Sequence, residues 1–211
     1  MASTTAAVRG PLPVPRRDLQ KEQTRLELAL AAFELAKSQG MAKVRVPEIA
    51  AAAGVSTRTF NNYFSSKEQA IAWLAGRHAA GLAAALQAAP ADEPLDNALV
   101  GAVIGQYGPV RDHGLPPHWL RDFRSLVANE PALHGEYLSA MASAERQLAD
   151  AIAARAPAGG RLRANVIAAM VAGAERAAVM YWMETRSGSL VETVREGLQQ
   201  ALSGIGCRHD R

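Results

Sequence analysis

The chain has few of the residues that extracellular and metal-binding folds depend on. Its 211 residues include one cysteine, Cys207, so no internal disulfide and no paired-cysteine metal site can form. Residues 1–18 contain arginines and prolines but lack the apolar segment of a signal peptide. We therefore expect a reducing, cytoplasmic setting.

Long hydrophobic runs are also scarce. The most apolar stretch, residues 164–183, is interrupted by Glu175 and Arg176, which favours a buried helix over a membrane span. We expect no membrane contact. Runs of β-branched residues and credible alternating strands are missing too, whereas alanine is abundant, and this composition favours helix.

Motifs for catalysis and for cofactor binding are missing as well. The sequence has no glycine-rich phosphate loop, no nucleophile elbow and no cysteine–histidine pairing. Among five histidines only His113 and His118 are close in sequence, and they flank a proline-rich loop rather than sharing a helix face. We expect no enzyme, no cofactor and no metal site.

What the chain does have is an uneven distribution of charge. Residues 1–77 carry eleven Lys and Arg against six Asp and Glu, whereas the remainder carries twelve against fourteen. A basic amino-terminal part joined to a mildly acidic body favours a module that binds a polyanion.

Hydrophobic periodicity predicts an all-α fold of about nine helices, with breaks at glycines and prolines. The run Ser65–Glu68 predicts a capping box that opens the fourth helix. The last three helices are expected over about 131–156, 161–185 and 190–204. The expected organisation is a disordered basic arm over 1–17, a helix-turn-helix domain over 18–66, and a helical effector-binding and dimerisation domain over 67–206.

Residues 46–67 carry the pattern of a helix-turn-helix. A short helix with a small apolar face is followed by Gly54, which tolerates positive φ in a tight turn. Phe60 and Phe64, four residues apart, are the predicted inner anchor of the second short helix.

The polar residues of this second helix are predicted to face a DNA major groove. Arginine can grip guanine and asparagine can grip adenine through two hydrogen bonds each. Hydroxyl groups and a following lysine suit phosphate oxygens. The predicted DNA-contacting residues are Thr57, Arg58, Thr59, Asn61, Asn62, Tyr63 and Lys67.

These residues resemble the amino-terminal domain of the TetR family of transcriptional regulators. The resemblance covers about residues 20–70 and rests on Phe33 with its surrounding helix, Ile49–Ala50, Ala53–Ser56, Thr59–Phe60, Tyr63–Phe64 and Lys67–Glu68. Asn61 departs from the pattern, since most members have an aromatic residue there, and it is a candidate for reading a base. The form Arg-Thr-Phe-Asn-Asn-Tyr-Phe looks like a variant common among actinobacterial members.

The resemblance implies a homodimer formed by the last two helices, a small-molecule effector held by the middle helices, and repression as the common mode. It also implies a palindromic double-stranded operator, whose half-sites would lie about 34–36 Å apart or a multiple of that. Effector binding would separate the two recognition helices and release the operator.

The sequence of the last two helices supports a dimer independently. Residues 165–182 are apolar around most of the helix, which favours burial on two sides, and they include small residues that allow close approach. A matching stripe on the last helix consists of Leu190, Val194, Leu198 and Leu202. A helix buried wholly within one chain is the alternative.

Candidate effector contacts are aromatic, methionine and arginine residues on the fourth to eighth helices. Among many alanines, large side chains of this kind favour a pocket for a bulky, largely apolar molecule, with ordinary core packing as the alternative for each. The candidates are Trp73, Arg77, Tyr107, Trp119, Phe123, Tyr137, Met141 and Met170.

Two further alternatives concern the arm and the class of protein. Arg9, Arg16 and Arg17 can contact a minor groove or phosphates, or belong to a solvated leader. The competing class is an α-helical protein-interaction adaptor without sequence-specific DNA binding.

Overall fold

The computed structural model describes residues 16–107, 115 and 119–203. Within this part of the chain all regular elements are helical and no strand occurs, so the all-α prediction with nine α-helices is confirmed. The helices are α1 (Arg16–Gln39), α2 (Val46–Ala52), α3 (Thr57–Tyr63), α4 (Lys67–Ala88), α5 (Leu95–Ile104), α6 (Trp119–Asn129), α7 (Pro131–Arg155), α8 (Gly160–Thr185) and α9 (Leu190–Leu202). Short 3-10 turns, Gly105–Tyr107 and Pro157–Gly159, follow α5 and precede α8.

The first helix begins two residues earlier than the sequence suggested. Arg16 and Arg17 belong to the first turn of α1 and not to an arm. Asp18 lies in the same turn, where its carboxylate interacts favourably with the positive end of the helix dipole and so stabilises the helix. Residues 1–15 of the predicted arm, including Arg9, lie outside the described residues, as do Cys207, His113 and His118.

The start of α4 differs from the predicted capping box by one residue. The cap is Ser66, whose Oγ accepts a hydrogen bond from the backbone N–H of Gln69 at 3.0 Å. The side chain of Gln69 in turn accepts from the backbone N–H of Ser65 at 2.8 Å. Glu68 turns towards the Lys67 ammonium instead, 4.0 Å away. The expected pairing of Ser65 with Glu68 was therefore wrong, because the glutamine amide takes the role of the carboxylate.

The turn between α2 and α3 depends on the backbone conformation of Gly54. Its φ is +69°, and the N–H groups of Gly54 and Val55 donate to the carbonyls of Ala51 and Ala50 at 3.0 and 2.9 Å. These two bonds form a Schellman motif, which ends a helix and satisfies its last carbonyls. The turn fixes the angle at which α3 leaves α2.

The helices enclose two hydrophobic cores that share α4 and α7. The amino-terminal core contains buried residues of α1, α2, α3, the first half of α4 and part of α6, among them Phe33, Ile49, Phe60, Ile71 and Phe123. The second core contains the end of α4 with α5, α7, α8 and α9, among them Leu86, Leu99, Ile152, Val171 and Leu198.

Small residues let the long helices approach closely. A Cβ placed on Gly76 of α4 would lie 3.1 Å from the Cβ of Ala140 on α7. A Cβ on Gly197 of α9 would lie 3.1 Å from the Cβ of Ala178 on α8. Both distances are shorter than ordinary carbon contacts, so larger residues at these positions would push the helices apart.

Arg155, the last residue of α7, fastens the end of α4 to the turn that follows. Its guanidinium donates to the carbonyls of Ala89 at 3.2 Å and Glu93 at 2.8 Å, and also to that of Pro90. Carbonyls at a helix end lack partners within the helix. The Arg155 guanidinium supplies hydrogen-bond partners from α7. It therefore fixes both the direction of α4 and the place where α4 ends.

The glycine at the α2–α3 turn gives a stability prediction with a matched control. No neighbour lies within 4 Å of a Cβ placed on Gly54, so Gly54→Ala introduces backbone strain without a clash. We expect the variant to lose about 1 kcal/mol of unfolding free energy in urea titrations. Gly101 is exposed within α5 and equally open, so Gly101→Ala is expected to gain roughly 0.5–1 kcal/mol. Changes of the same sign in the two variants would contradict this account.

Candidate DNA-binding face and effector cavity

The short helix α3 is anchored by two buried phenylalanines. Phe60 and Phe64 have 0% and 1% of their surface exposed, and their ring centroids lie 5.8 Å apart. Ser56 caps the helix, because its Oγ accepts a hydrogen bond from the backbone N–H of Thr59 at 3.1 Å. The anchor and the cap fix which side of α3 faces the solvent.

The polar residues singled out in α3 fall into two groups by exposure. Thr59 and Tyr63 are half-buried, and the Thr59 hydroxyl lies 2.9 Å from the Ser56 hydroxyl as part of the cap. The others are exposed on one side of the helix: Thr57, Arg58, Asn61 and Asn62. A guanidinium and two amides on one exposed helix face offer the donors and acceptors that read base edges in a major groove.

Lys67, the seventh predicted DNA contact, is engaged within the chain. Its ammonium donates to the carbonyls of Met41 and Val44, at 2.5 and 3.0 Å. An ammonium has three donors, so one is left after these two bonds. Lys67 therefore fastens the loop between α1 and α2 to the start of α4, a role that its sequence position did not indicate.

A cavity of about 90 Å³ lies between α4, α6, α7 and α8. Four of the eight predicted effector contacts line it together: Trp119, Phe123, Tyr137 and Met141. The rings of Trp119, Phe123 and Tyr137 form a continuous series with that of His78, whose centroid lies 5.3 Å from that of Trp119. The wall of the cavity is accordingly aromatic over much of its surface.

One side of this cavity is polar. The Tyr107 hydroxyl donates to Glu175 Oε1 at 2.6 Å, which joins the 3-10 turn after α5 to α8. Burial raises the pKa of Glu175, although the bond from Tyr107 and the nearby Arg124 guanidinium lower it in part. Burial and the neighbouring Glu175 also raise the pKa of Tyr107. The Nε of Arg124 is buried and has no hydrogen-bond partner in the described part of the chain.

Three of the predicted effector contacts lie elsewhere. Trp73 and Arg77 line an open groove between α1, α4 and α7. Trp73 packs its ring 6.0 Å from that of Phe64, and the Arg25 guanidinium lies 4.9 Å above the Trp73 ring. Met170 lies on the opposite side of α8, in a groove that α8 forms with α9. The eighth candidate, Tyr107, borders the cavity through its bond to Glu175.

The groove between α8 and α9 is open and lined by small residues. Its volume is about 770 Å³, and its lining includes Gly173, Ala174, Ala177, Tyr181 and Gly197. Large apolar side chains of α8 are exposed around it, including Val166, Met180 and Tyr181, of which Tyr181 is 60% exposed. Residues 16–107, 115 and 119–203 therefore leave one face of α8 exposed.

Among the described residues, one segment is apolar enough, by length and hydropathy alone, to cross a membrane. It spans Pro157–Thr185, with a mean hydropathy of 1.3, and 28% of its most apolar window is buried. Glu175 and Arg176 interrupt it where it faces the cavity.

Several lining residues of the cavity were not predicted as effector contacts: His78, Arg124, Glu145, Glu175 and Arg176. For Glu175 and Arg176 a signal was present, because two charges inside an otherwise apolar helix need a polar environment. Arg124 gave no such signal, since α6 contains other charged residues at similar spacing.

Comparisons with known proteins agree with this division into two parts. Residues 29–71 match the family model of the bacterial regulatory proteins of the tetR family. Residues 92–206, more than half of the chain, match the TetR-type model of the MftR C-terminal domain. Among curated protein sequences no match was found.

Solved structures with the same fold include three named regulators. FadR from Thermus thermophilus, a TetR-family repressor in complex with lauroyl-CoA, is 23% identical with a TM-score of 0.52, over 88% of this chain and 97% of that one. FadR from Bacillus halodurans, a fatty acid degradation regulator, is 21% identical with a TM-score of 0.55, over 89% and 97%. SmeT, the repressor of the Stenotrophomonas maltophilia multidrug efflux pump SmeDEF, is 16% identical with a TM-score of 0.57, over 85% and 89%.

At these identities the solved structures show the fold, whereas the family models match the sequence itself. The carboxy-terminal model alone covers more than half of the chain, and the amino-terminal model covers the helix-turn-helix. The chain therefore belongs to the TetR family of DNA-binding transcriptional regulators.

Proposed function

We propose that the chain is a homodimeric repressor that binds a palindromic operator and is released by a small, largely apolar molecule. The observation that carries the DNA-binding part is the exposed polar face of α3, held outwards by Phe60 and Phe64. In this proposal residues 18–66 are the DNA-binding domain and residues 67–206 bind the effector and the second subunit. Membership of the family favours this function over a protein-interaction adaptor.

The proposed DNA contacts differ by residue. Arg58 contacts guanine, and Asn61 and Asn62 contact adenine, because these pairs match in hydrogen-bond geometry. Thr57, Thr59 and the half-buried Tyr63 offer hydroxyls to phosphates, and Lys67 adds a phosphate contact through its one remaining donor. Residues 1–15, which carry Arg9, are a candidate second contact with the DNA backbone.

The second subunit is proposed to cover the exposed face of α8 and α9. Exposed apolar surface of this kind marks an interaction site. Small residues such as Gly173 and Ala177 let two helices approach closely. A twofold pairing across this groove would complete a four-helix interface and place the two α3 helices on successive major grooves.

Release of the operator is proposed to begin at the internal cavity. A volume of about 90 Å³ is well below the roughly 300–1,000 Å³ of ordinary ligand pockets, so a bulky effector must push the surrounding helices apart. Phe123 of α6 and Ala75 of α4 line the cavity and also belong to the amino-terminal core. An effector that binds only the expanded form would thus shift α3 and favour the released state.

Two solved structures of the same fold support a small-molecule effector. One relative of the same fold was solved with an acyl-CoA and another represses a multidrug efflux pump. A cytoplasmic location follows from the proposed role, since an operator is reached from the cytoplasm in a bacterial cell.

The operator contact can be tested at Arg58. The operator is first obtained by selecting duplexes from a random pool, which should yield a palindrome. Arg58→Ala is expected to weaken binding by about 1–3 kcal/mol and to relax specificity at one base pair in each half-site. Fluorescence anisotropy at fixed salt measures both effects.

A matched control removes the same charge from the body. Arg161 of α8 is exposed and paired with Asp150, so Arg161→Ala is expected to leave operator affinity within about twofold. Equal losses in both variants would mean that only net charge matters, and the proposed guanine contact would be abandoned.

The dimer can be tested by placing a charge in the α8–α9 groove. Ala177 is exposed in the single chain, so Ala177→Arg does not disturb its core. The wild type should sediment at twice the 22.4 kDa chain mass, whereas Ala177→Arg should be monomeric because two arginines would meet across the twofold axis. Ala142→Arg, an exposed position on α7, is the matched control and should remain a dimer. A dimeric Ala177→Arg variant would count against this interface.

The polar side of the cavity predicts a pH dependence of stability. Because burial raises the pKa of Glu175 above its ordinary 4.5, the folded chain favours the protonated acid more than the unfolded chain does. The wild type therefore loses stability as pH rises from about 4.5 through the raised pKa. Glu175→Gln keeps an acceptor for Tyr107 without the charge, so its stability relative to the wild type should improve as pH rises.

Urea unfolding at several pH values between about 4.5 and 8 measures this trend. Tyr107→Phe is the complementary variant, since it removes a donor that stabilises the Glu175 carboxylate. Its loss of stability relative to the wild type should grow with pH. Parallel stability curves for all three proteins would show that Glu175 is ionised as easily in the folded chain as in water.

A further inference from the structure

We propose that the effector is an elongated molecule with one anionic carboxylate, which binds Arg124 while its apolar tail lies along α8 beyond Leu120. This inference deepens the proposed function by naming the chemical class of the effector, and it rests on that function. It depends on three observations: the buried, unpartnered Nε of the half-buried Arg124, a second apolar groove beside the cavity, and the alignment of both spaces on one helix face.

On the polar side of the cavity, the buried Nε of Arg124 lacks a hydrogen-bond acceptor among the described residues. Arg124 and Arg176 contribute two guanidinium groups and Glu145 and Glu175 two carboxyl groups to the lining. Glu175 accepts the Tyr107 hydroxyl, and no hydrogen bond from Arg124 to either carboxyl group is found among the described residues. A buried guanidinium nitrogen without an acceptor is costly, and a charged acceptor makes the strongest bond to it. A ligand carboxylate would supply that acceptor.

A second apolar space lies beyond one side chain of α6. Leu120 lines the cavity of about 90 Å³ and also a groove of about 310 Å³ between α6, α8 and α9. The groove is lined further by Val179, Trp182, Met183 and Leu190. Rotation of Leu120 would join the two spaces into about 400 Å³, which is within the range of ordinary ligand pockets.

Both spaces lie along one face of α8. The cavity is lined by Ala172, Glu175 and Arg176, and the groove by Val179, Trp182 and Met183. Spacings of three and four residues keep these six side chains on one side of a helix. From Glu175 to Met183 the axis rises by about 12 Å at 1.5 Å per residue. A narrow chain of about this length fits the joined space better than a compact ring system.

The charge is assigned to the inner end for a physical reason. Arg121 and Arg186 also border the outer groove, but Arg186 is exposed and Arg121 pairs with Asp122 at 3.3 Å. A solvated or paired cation gains little from a further anion. Arg124 is half-buried and its buried Nε has no acceptor among the described residues, so it gains more, and the carboxylate belongs beside it while the tail extends outwards.

The experiment compares decanoate with decan-1-ol, which share one chain length and differ in the charged head. Both are titrated against the full-length protein without DNA, below their aggregation concentrations, by calorimetry. The wild type is expected to bind decanoate roughly tenfold or more tightly than the alcohol, because only the carboxylate makes a charged hydrogen bond to Arg124. Failure of decanoate to bind, or equal affinities for the two compounds, would overturn the proposal.

Four variants locate the head and the tail. Arg124→Met should abolish the preference by weakening decanoate alone, whereas Arg124→Lys keeps a cation and should retain part of the preference. Leu120→Trp should weaken both compounds by a similar factor, because a larger side chain separates the two spaces permanently. A preference that survives Arg124→Met, or that is lost instead in Arg121→Met, would place the carboxylate elsewhere and refute the proposal.

A separate measurement keeps the proposed function distinguishable. Operator binding by the same proteins is followed with and without decanoate. If decanoate binds as expected but does not release the operator, the ligand class stands and the proposed release mechanism fails. If the operator is bound and other molecules release it while decanoate does not bind, the proposed function stands and this inference fails.

Discussion

The structure depends on one rigid helix that belongs to two hydrophobic cores. Ile71 and Leu74, in the first half of α4, are buried with the helix-turn-helix, whereas Leu82 and Leu86, in its second half, are buried with the body. A continuous helix transmits rotation and translation along its axis, and packed cores resist gradual deformation. A displacement of α4 at the cavity must therefore appear at α3, unless one of the two cores is broken.

Polar contacts at both ends of α4 reinforce this constraint. Lys67 fastens the loop after α1 to its first turn, and Arg155 fastens its last carbonyls to α7. Neither bond helps to bury apolar surface. Both fix the direction of the helix relative to its neighbours, so that the position of α3 is defined by a few charged hydrogen bonds as well as by packing.

The sequence allowed the helix-turn-helix to be predicted in detail, because its signals are local. Apolar spacing, a glycine that ends α2 and a serine that caps α3 operate within a few residues of one another. The cavity offered no such signal. Trp73 and Phe123 look equivalent in sequence, and only tertiary packing places Phe123 beside the cavity and Trp73 in the groove below Arg25. The nine helices were likewise predictable from periodicity. The predicted cap of α4 was wrong by one residue, because two adjacent serines compete for that role.

The helix α8 shows why hydropathy alone could not separate a cavity-lining role from a role in subunit contact. Its cavity face carries Glu175 and Arg176, and its opposite face carries Met170, Gly173 and Ala177 in the groove with α9. Averaged over a window, both faces contribute to one apolar score, so a membrane span, a core helix and a shared interface helix look alike. Resolved by face, the helix joins the proposed effector cavity to the proposed subunit interface. Any ligand that shifts α8 must change the packing of that interface, and by thermodynamic reciprocity the pairing of subunits must change the affinity for the ligand.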